Sequence, residues 1–214
     1  MRTRRHFLRL AFGGSIAGVA LLGPLFSARQ RAGAAAKKVL PKGTKRDSLI
    51  QDDPATLDTT NLEITPLENF GTMGPTNEVV DPGAWRLQVS GQVKKALSLT
   101  LPQLTTLPSV ERDVLLICPG FFANYGRWKG VSMRSLLQQA DPEPTATQVL
   151  VEARGGKTVR YPLEDLLSDK VFLAYHVNGQ SLPRKHGFPL RIVAEGYYGS
   201  DWLKYVERVT LERA

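Results

Sequence analysis

The chain has 214 residues, 42% of them hydrophobic, which suits one domain with a sizeable core, and its single cysteine excludes an intrachain disulfide. The formal net charge of +8 is unevenly placed: eleven of the 28 Lys and Arg residues lie before Asp47 with no acid among them. The remainder carries 17 basic against 20 acidic residues, so no positive face is left for a nucleic acid and that partner class is excluded.

Thr3-Arg4-Arg5-His6-Phe7-Leu8-Arg9 resembles the twin-arginine export motif, and a weakly apolar, glycine-containing stretch follows over 10–28. Small residues at Ala32-Gly33-Ala34 and Ala34-Ala35-Ala36 offer cleavage sites, so 1–36 is expected to be a signal peptide. The expected location is periplasmic or otherwise exported, with the twin-arginine machinery as a partner. An uncleaved anchor is the alternative, because 10–28 as a helix would be about 28 Å long, and it would leave the protein membrane-associated. Proteins on this route travel folded and often loaded with a cofactor. An odd thiol in an oxidising compartment is either buried or bound to something.

Residues 37–60 are polar with little periodicity and read as a linker or extended arm, leaving 61–214 as the single domain. Trp85, Leu87 and Val89 alternate with polar neighbours as a half-buried strand does, and Gly91 ends it. Leu97 to Leu101 is a second strand and Pro102 to Leu107 a helical turn. The apolar run Val114-Leu115-Leu116-Ile117 is a buried strand that ends on Cys118, with Pro119-Gly120 breaking it at once. Phe121 to Arg127 reads as loop, and Trp128 to Val131 leads into a helix Met133 to Ala140 capped by Ser132. Strands follow at 148–153 and 158–161, joined by Gly155-Gly156, then a short helix around Leu163, Leu166 and Leu167. Strands at 171–177 and 190–194 and a last one through Val206, Val209 and Leu211 complete the order. Short strands and helices without regular βαβ spacing predict an α+β fold with mixed sheets.

Two stretches carry candidate chemistry. Cys118 sits at a rigid strand end; alone it reads as a packed thiol, but beside aromatic and basic groups it is placed to bind a metal or react. Phe121, Phe122, Asn124, Tyr125 and Arg127, just past it, are candidate pocket groups, with loop packing as the alternative, and Asn124, Tyr125 and Arg127 among them are the candidates for a catalytic role. The stretch 178–205 sets His186, Arg191 and Lys204 among glycines and prolines, where backbone approaches a ligand closely; these types suit a phosphate or solvated surface pairs.

The ordered set Asp81-Pro82, Trp85-Arg86-Leu87, Gly91-Gln92-Val93, Cys118-Pro119-Gly120, Trp128-Lys129-Gly130-Val131, His186-Gly187-Phe188-Pro189-Leu190-Arg191 and Tyr198-Gly199 with Lys204 resembles the sulfite-oxidase-type molybdopterin-binding oxidoreductase domain. The resemblance covers about 61–211 and implies that family's α+β fold and a Mo-molybdopterin cofactor. It implies Cys118 as the molybdenum ligand, with His186, Arg191, Trp202, Leu203 and Lys204 at the pterin and its phosphate. Asn69, Phe70 and Arg154 match further cofactor contacts. Gly120 is followed by Phe121-Phe122, where sulfite oxidases continue Gly-Asn-x-Arg, so the residues that hold sulfite are not identifiable here. Size and leader are closer to the small exported members, such as the periplasmic methionine-sulfoxide reductase catalytic subunit.

The resemblance therefore implies oxygen-atom transfer on a small, sulfur-containing substrate by a monomer that exchanges electrons with a separate haem or cytochrome protein. A sulfite dehydrogenase, with Arg127, Arg154 and Arg160 converging on the anion, and a non-catalytic binding protein that keeps the fold are the alternatives.

Overall fold

The computed structural model describes residues 36–214; apart from Ala36, the expected signal peptide 1–36 lies outside them. Fifteen regular elements other than 3-10 turns follow in order. They are β1 (Lys38–Val39), β2 (Leu57–Asp58), β3 (Leu87–Gly91), β4 (Leu97–Leu99), α1 (Leu101–Thr105), β5 (Ser109–Cys118), β6 (Phe122–Ser132), α2 (Met133–Ala140), β7 (Gln148–Ala153), β8 (Thr158–Pro162), α3 (Leu163–Leu166), β9 (Val171–Val177), β10 (Gln180–Ser181), β11 (Arg191–Ala194) and β12 (Val206–Glu212). The fold is α+β with mixed sheets and few short helices, as the element order implied.

One sheet runs β4-β3-β12-β7-β8, with the last strand, β12, central and parallel to β3. The other runs β10-β9-β6-β5, and β11 pairs with β9 beside β10. A single core joins them: Leu87 and Val89, Val149 and Val151, Val209 and Leu211 from the first sheet meet Val114, Leu116, Phe172 and Leu173 from the second, with α2 adding Leu136 and Leu137. Ser132 caps α2 by accepting from the Ser135 N–H, as expected from its position.

The main difference from the sequence reading is β6. Phe122 to Ser132 is an eleven-residue strand, paired antiparallel with all of β5 from Ser109↔Val131 to Cys118↔Phe122, where a loop was expected. Gly130 disguised it. A Cβ there would fall 2.0 Å from the Leu173 carbonyl oxygen, at a register shift where β6 bends against β9, so the residue that reads as a breaker is what the close approach requires.

Strand pairing fixes sidedness. Val114, Leu116, Phe122 and Trp128 face the main core, whereas Leu115, Ile117, Ala123 and Tyr125 face the other side. There they meet Leu40, Leu49 and Leu57 of the segment expected to be a linker or arm, each 2% exposed. That segment is held by 3-10 turns at Arg46–Leu49 and Pro54–Thr56 and by the short parallel pair β1-β2. It reaches the cysteine corner, where the Gly120 N–H donates to the Ile50 carbonyl at 3.0 Å. Residues 40–57 thus cover the outer face of the β5-β6 hairpin.

Candidate cofactor site

The β5-β6 hairpin delivers Cys118 to the mouth of a cavity of about 340 Å³, a size that suits a small molecule or cofactor. The turn is closed by the Phe121 N–H donating to the Cys118 carbonyl at 3.0 Å. The thiol is partly buried, and burial alone pushes its pKa up. Its Sγ donates to the Met73 thioether, Sγ to Sδ 3.7 Å. Such a thiol becomes a thiolate when a metal takes its proton's place.

Met73 belongs to a strap, residues 71–75, pinned at both ends. Asn124, on the core side of β6, accepts from the Gly71 N–H at 3.0 Å and donates to the Gly71 carbonyl at 2.9 Å. Both halves of its amide are used, so Asn124 acts as a clamp. At the far end Lys204 Nζ donates to Thr72 Oγ1 at 2.7 Å, the Pro75 carbonyl at 3.0 Å and the Lys185 carbonyl at 2.9 Å. Gly71 has no room for a side chain: a Cβ would lie 2.3 Å from Phe122 Cγ. The strap therefore lies flat against the hairpin that carries Cys118.

The lining has four basic side chains, Arg154, Lys157, Arg191 and Lys204, together with His186, and no carboxylate. Arg191 is 4% exposed. Its guanidinium stacks 4.9 Å from the Trp128 ring centroid and 5.6 Å from that of Trp202. It donates to the His186 carbonyl at 3.2 Å and the Trp202 carbonyl at 3.5 Å, while its Nε has no partner. Desolvation pushes its pKa down to about 10. His186, 1% exposed, is driven down to about 4 by burial and then by the charges of Arg191, Lys185 and Lys204, so it is neutral at pH 7. Its Nε2 also lacks a partner. Lys204 falls to about 8 through burial and then Arg191. Buried cations without counter-charge, beside unsatisfied buried nitrogens, are groups arranged for an anion.

Among residues singled out from sequence, Cys118, Asn124, Arg154, His186, Arg191, Trp202, Leu203 and Lys204 line this one cavity. Arg154 is tied outward to Glu207 at 3.1 Å and Glu78 at 3.7 Å. Phe70 is not in the lining but packs edge-on against His186 at 5.7 Å and in a tilted arrangement against Trp128 at 5.9 Å. Three placements are corrected. Tyr125 points to the outer face of the hairpin, where its ring packs with the N-terminal segment, because alternation along β6 sends it away from Asn124. Arg127 lies opposite Asp113, five residues back along β5 or about 17 Å from Cys118, and forms a bidentate pair with that carboxylate at 2.7 and 2.9 Å. Asn69 is exposed at the end of a 3-10 turn and does not line the cavity. The strap itself and Lys157 were missed; a run of Gly71-Thr72-Met73-Gly74-Pro75 between breakers was the available signal.

The donor set fits molybdopterin: one soft sulfur at the mouth for the metal, and an inner wall of uncompensated cations for the phosphate. Comparison with known proteins agrees. The family profile described as the oxidoreductase molybdopterin binding domain matches residues 73–214. The protein-methionine-sulfoxide reductase catalytic subunit MsrP of Gluconobacter oxydans is 27% identical over 178 residues, covering 72% of this chain and 57% of that protein. The oxidoreductase YuiH of Bacillus subtilis is 31% identical over 154 residues, covering 67% of this chain and 78% of that protein. Human mitochondrial sulfite oxidase is 30% identical over 165 residues, covering 62% of this chain and 30% of that enzyme. The chain thus spans little more than half the length of the first relative and under a third of the last. The solved structure of the sulfane dehydrogenase SoxCD from Paracoccus pantotrophus shares the fold, with a TM-score of 0.62 at 20% identity over 95% of this chain and 56% of that one. The chain belongs to the oxidoreductase molybdopterin-binding domain family, as an oxidoreductase domain of the sulfite-oxidase type with Mo-molybdopterin as its cofactor.

Proposed function

We propose that the chain is the catalytic domain of an exported molybdenum enzyme that moves an oxygen atom to or from a small sulfur-containing substrate and exchanges electrons with a separate haem or cytochrome protein. The observation that carries this reading is the convergence of the Cys118 thiol and a carboxylate-free cationic wall on one cavity. When bound, the cofactor supplies the two-electron redox couple. Cys118 would ligate its molybdenum. His186 and Arg191 would hold the pterin and its phosphate from the inner wall, with Lys204 at the phosphate end. Asn124 and Lys204 keep the strap in place over the ligand.

Export is supported by the run Thr3 to Arg9. Among the described residues no helix is long and apolar enough to cross a membrane. The separate electron partner is supported by the relative that is itself a catalytic subunit. A sulfite dehydrogenase is less well supported: of Arg127, Arg154 and Arg160, only Arg154 lines the cavity, and Arg160 is paired with Glu212 at 3.0 Å.

The test is elemental analysis of protein made in a host that synthesises the cofactor, comparing wild type with Cys118→Ser. About one molybdenum per chain is expected in the wild type, with a changed Mo(V) electron-spin resonance in the variant. Folded, exported wild type without molybdenum would overturn the reading. Turnover of methionine sulfoxide with a reduced viologen, set against turnover of sulfite with an oxidised cytochrome, separates the two substrates.

A further inference from the structure

Among the described residues, the large hydrophobic side chains left exposed are Val39, Met73, Val79, Phe121 and Tyr198. Two of these five line the cavity. Met73, 47% exposed, and Phe121, 69% exposed, line it directly and approach from the strap and from the hairpin turn. Tyr198 precedes the lining residues Gly199 and Ser200, and Val79 follows Glu78, whose carboxylate holds Arg154 of the lining. Two exposed apolar side chains in the lining of one cavity mark a surface that receives an apolar group.

No ion pair or hydrogen bond to a cation reaches Cys118, whose contact is a thioether. Arg191 is buried in the inner wall, Lys204 spends its three donors on the strap and the 184–186 turn, Arg154 is paired with Glu207 and Glu78, Lys157 donates to the Ser200 carbonyl, and Arg127 is neutralised by Asp113 on the far face of the hairpin. An apolar substrate at Cys118 is offered a polarizable thioether and an aromatic ring by Met73 and Phe121, which share the lining with it.

We propose that Met73 and Phe121 are specificity-determining residues, forming two apolar lips that select an organic sulfoxide or thioether carrying an apolar substituent over one that lacks it. This rests on the oxygen-transfer reading above and assigns its substrate class. In the reductive direction the sulfoxide S–O bond breaks, two electrons come from the reduced partner and two protons from water, and thioether and water leave.

The test uses the molybdenum-loaded enzyme with reduced viologen as electron donor and compares methyl phenyl sulfoxide with dimethyl sulfoxide. The wild type is expected to favour the aryl substrate by at least about tenfold in kcat/KM, the scale set by burying one ring. Phe121→Ser and Met73→Gln are each expected to reduce that ratio by about fivefold or more, through KM rather than kcat. Binding of methyl phenyl sulfone, which carries no reducible S–O group of this kind, is followed by calorimetry and should weaken in parallel while molybdenum content stays unchanged. A loaded wild type that reduces both sulfoxides equally well, or variants that keep the wild-type ratio and sulfone affinity, would overturn the lips and leave the oxygen-transfer reading standing. A loaded enzyme that reduces neither sulfoxide would overturn that reading and this one with it.

Discussion

Arg191 separates a residue that waits for a ligand from one that holds the fold together, and Arg191→Met tests which it is. The guanidinium is 4% exposed, its Nε is unpartnered, and none of its hydrogen bonds goes to a carboxylate. Its pKa of about 10, against the usual 12.5, means that keeping the charge disfavours the folded chain by roughly 3 kcal/mol at neutral pH, where both folded and unfolded states are protonated. Methionine removes that penalty. It also removes two hydrogen bonds to carbonyls, one of them long at 3.5 Å, and the stacking on Trp128 and Trp202, which together contribute a similar amount. The stability of cofactor-free protein should therefore change by no more than about 1 kcal/mol, or about 2–4 °C in Tm for a chain of this size. In protein made with the cofactor, losing a charged donor to the phosphate should lower molybdenum content at least about tenfold. The measurements are thermal unfolding by circular dichroism of cofactor-free protein, and molybdenum per chain after expression in a competent host. A fall of more than about 8 °C in the cofactor-free variant is what breaking a structural buried ion produces, and it would refute the reasoning.

Two further outcomes are expected. Leu49→Ala should destabilise the domain by about 2–5 kcal/mol, seen as a lower urea midpoint at unchanged slope, because Leu49 is 2% exposed against Ile117 and its neighbours although it lies outside the family match; a loss under about 0.5 kcal/mol would make the 40–57 segment a passive linker. Lys204 has its folded pKa depressed to about 8 from 10.5, so its charged form opposes folding below pH 8 and the penalty is relieved as pH rises through that value. The urea midpoint of cofactor-free wild type should accordingly rise between pH 7 and 9.5 and that of Lys204→Met should not; a rise shared by both would place the titrating group elsewhere.

How far the site could be read in the sequence follows from distance along the chain. The strand ending at Cys118, the helix after Ser132 and the hairpin across Gly155-Gly156 are local signals, legible because apolar alternation, a cap and a turn pair each act over a few residues. The clamps on the strap are not local. Asn124 reaches Gly71 across 53 residues and Lys204 reaches Thr72 across 132, so no spacing rule could announce them. The ordered family resemblance brought Lys204 and Arg191 to the site, whereas the residues after Cys118 became candidates by proximity in sequence, as though they formed a loop. In a strand, proximity is the wrong measure. Once Phe122 to Ser132 is paired with β5, alternation alone sends Phe122 and Asn124 to the side of Cys118 and Tyr125 and Arg127 to the other, and five residues of register carry Arg127 away from the thiol. The glycine that hid the strand, Gly130, is demanded by the backbone of β9, which is a tertiary contact. The expected loop and the expected placement of Arg127 beside Cys118 therefore fail from a single cause. Removing that cause takes Arg127 out of the cavity and leaves Met73, Phe121 and Asn124 beside Cys118 in its lining.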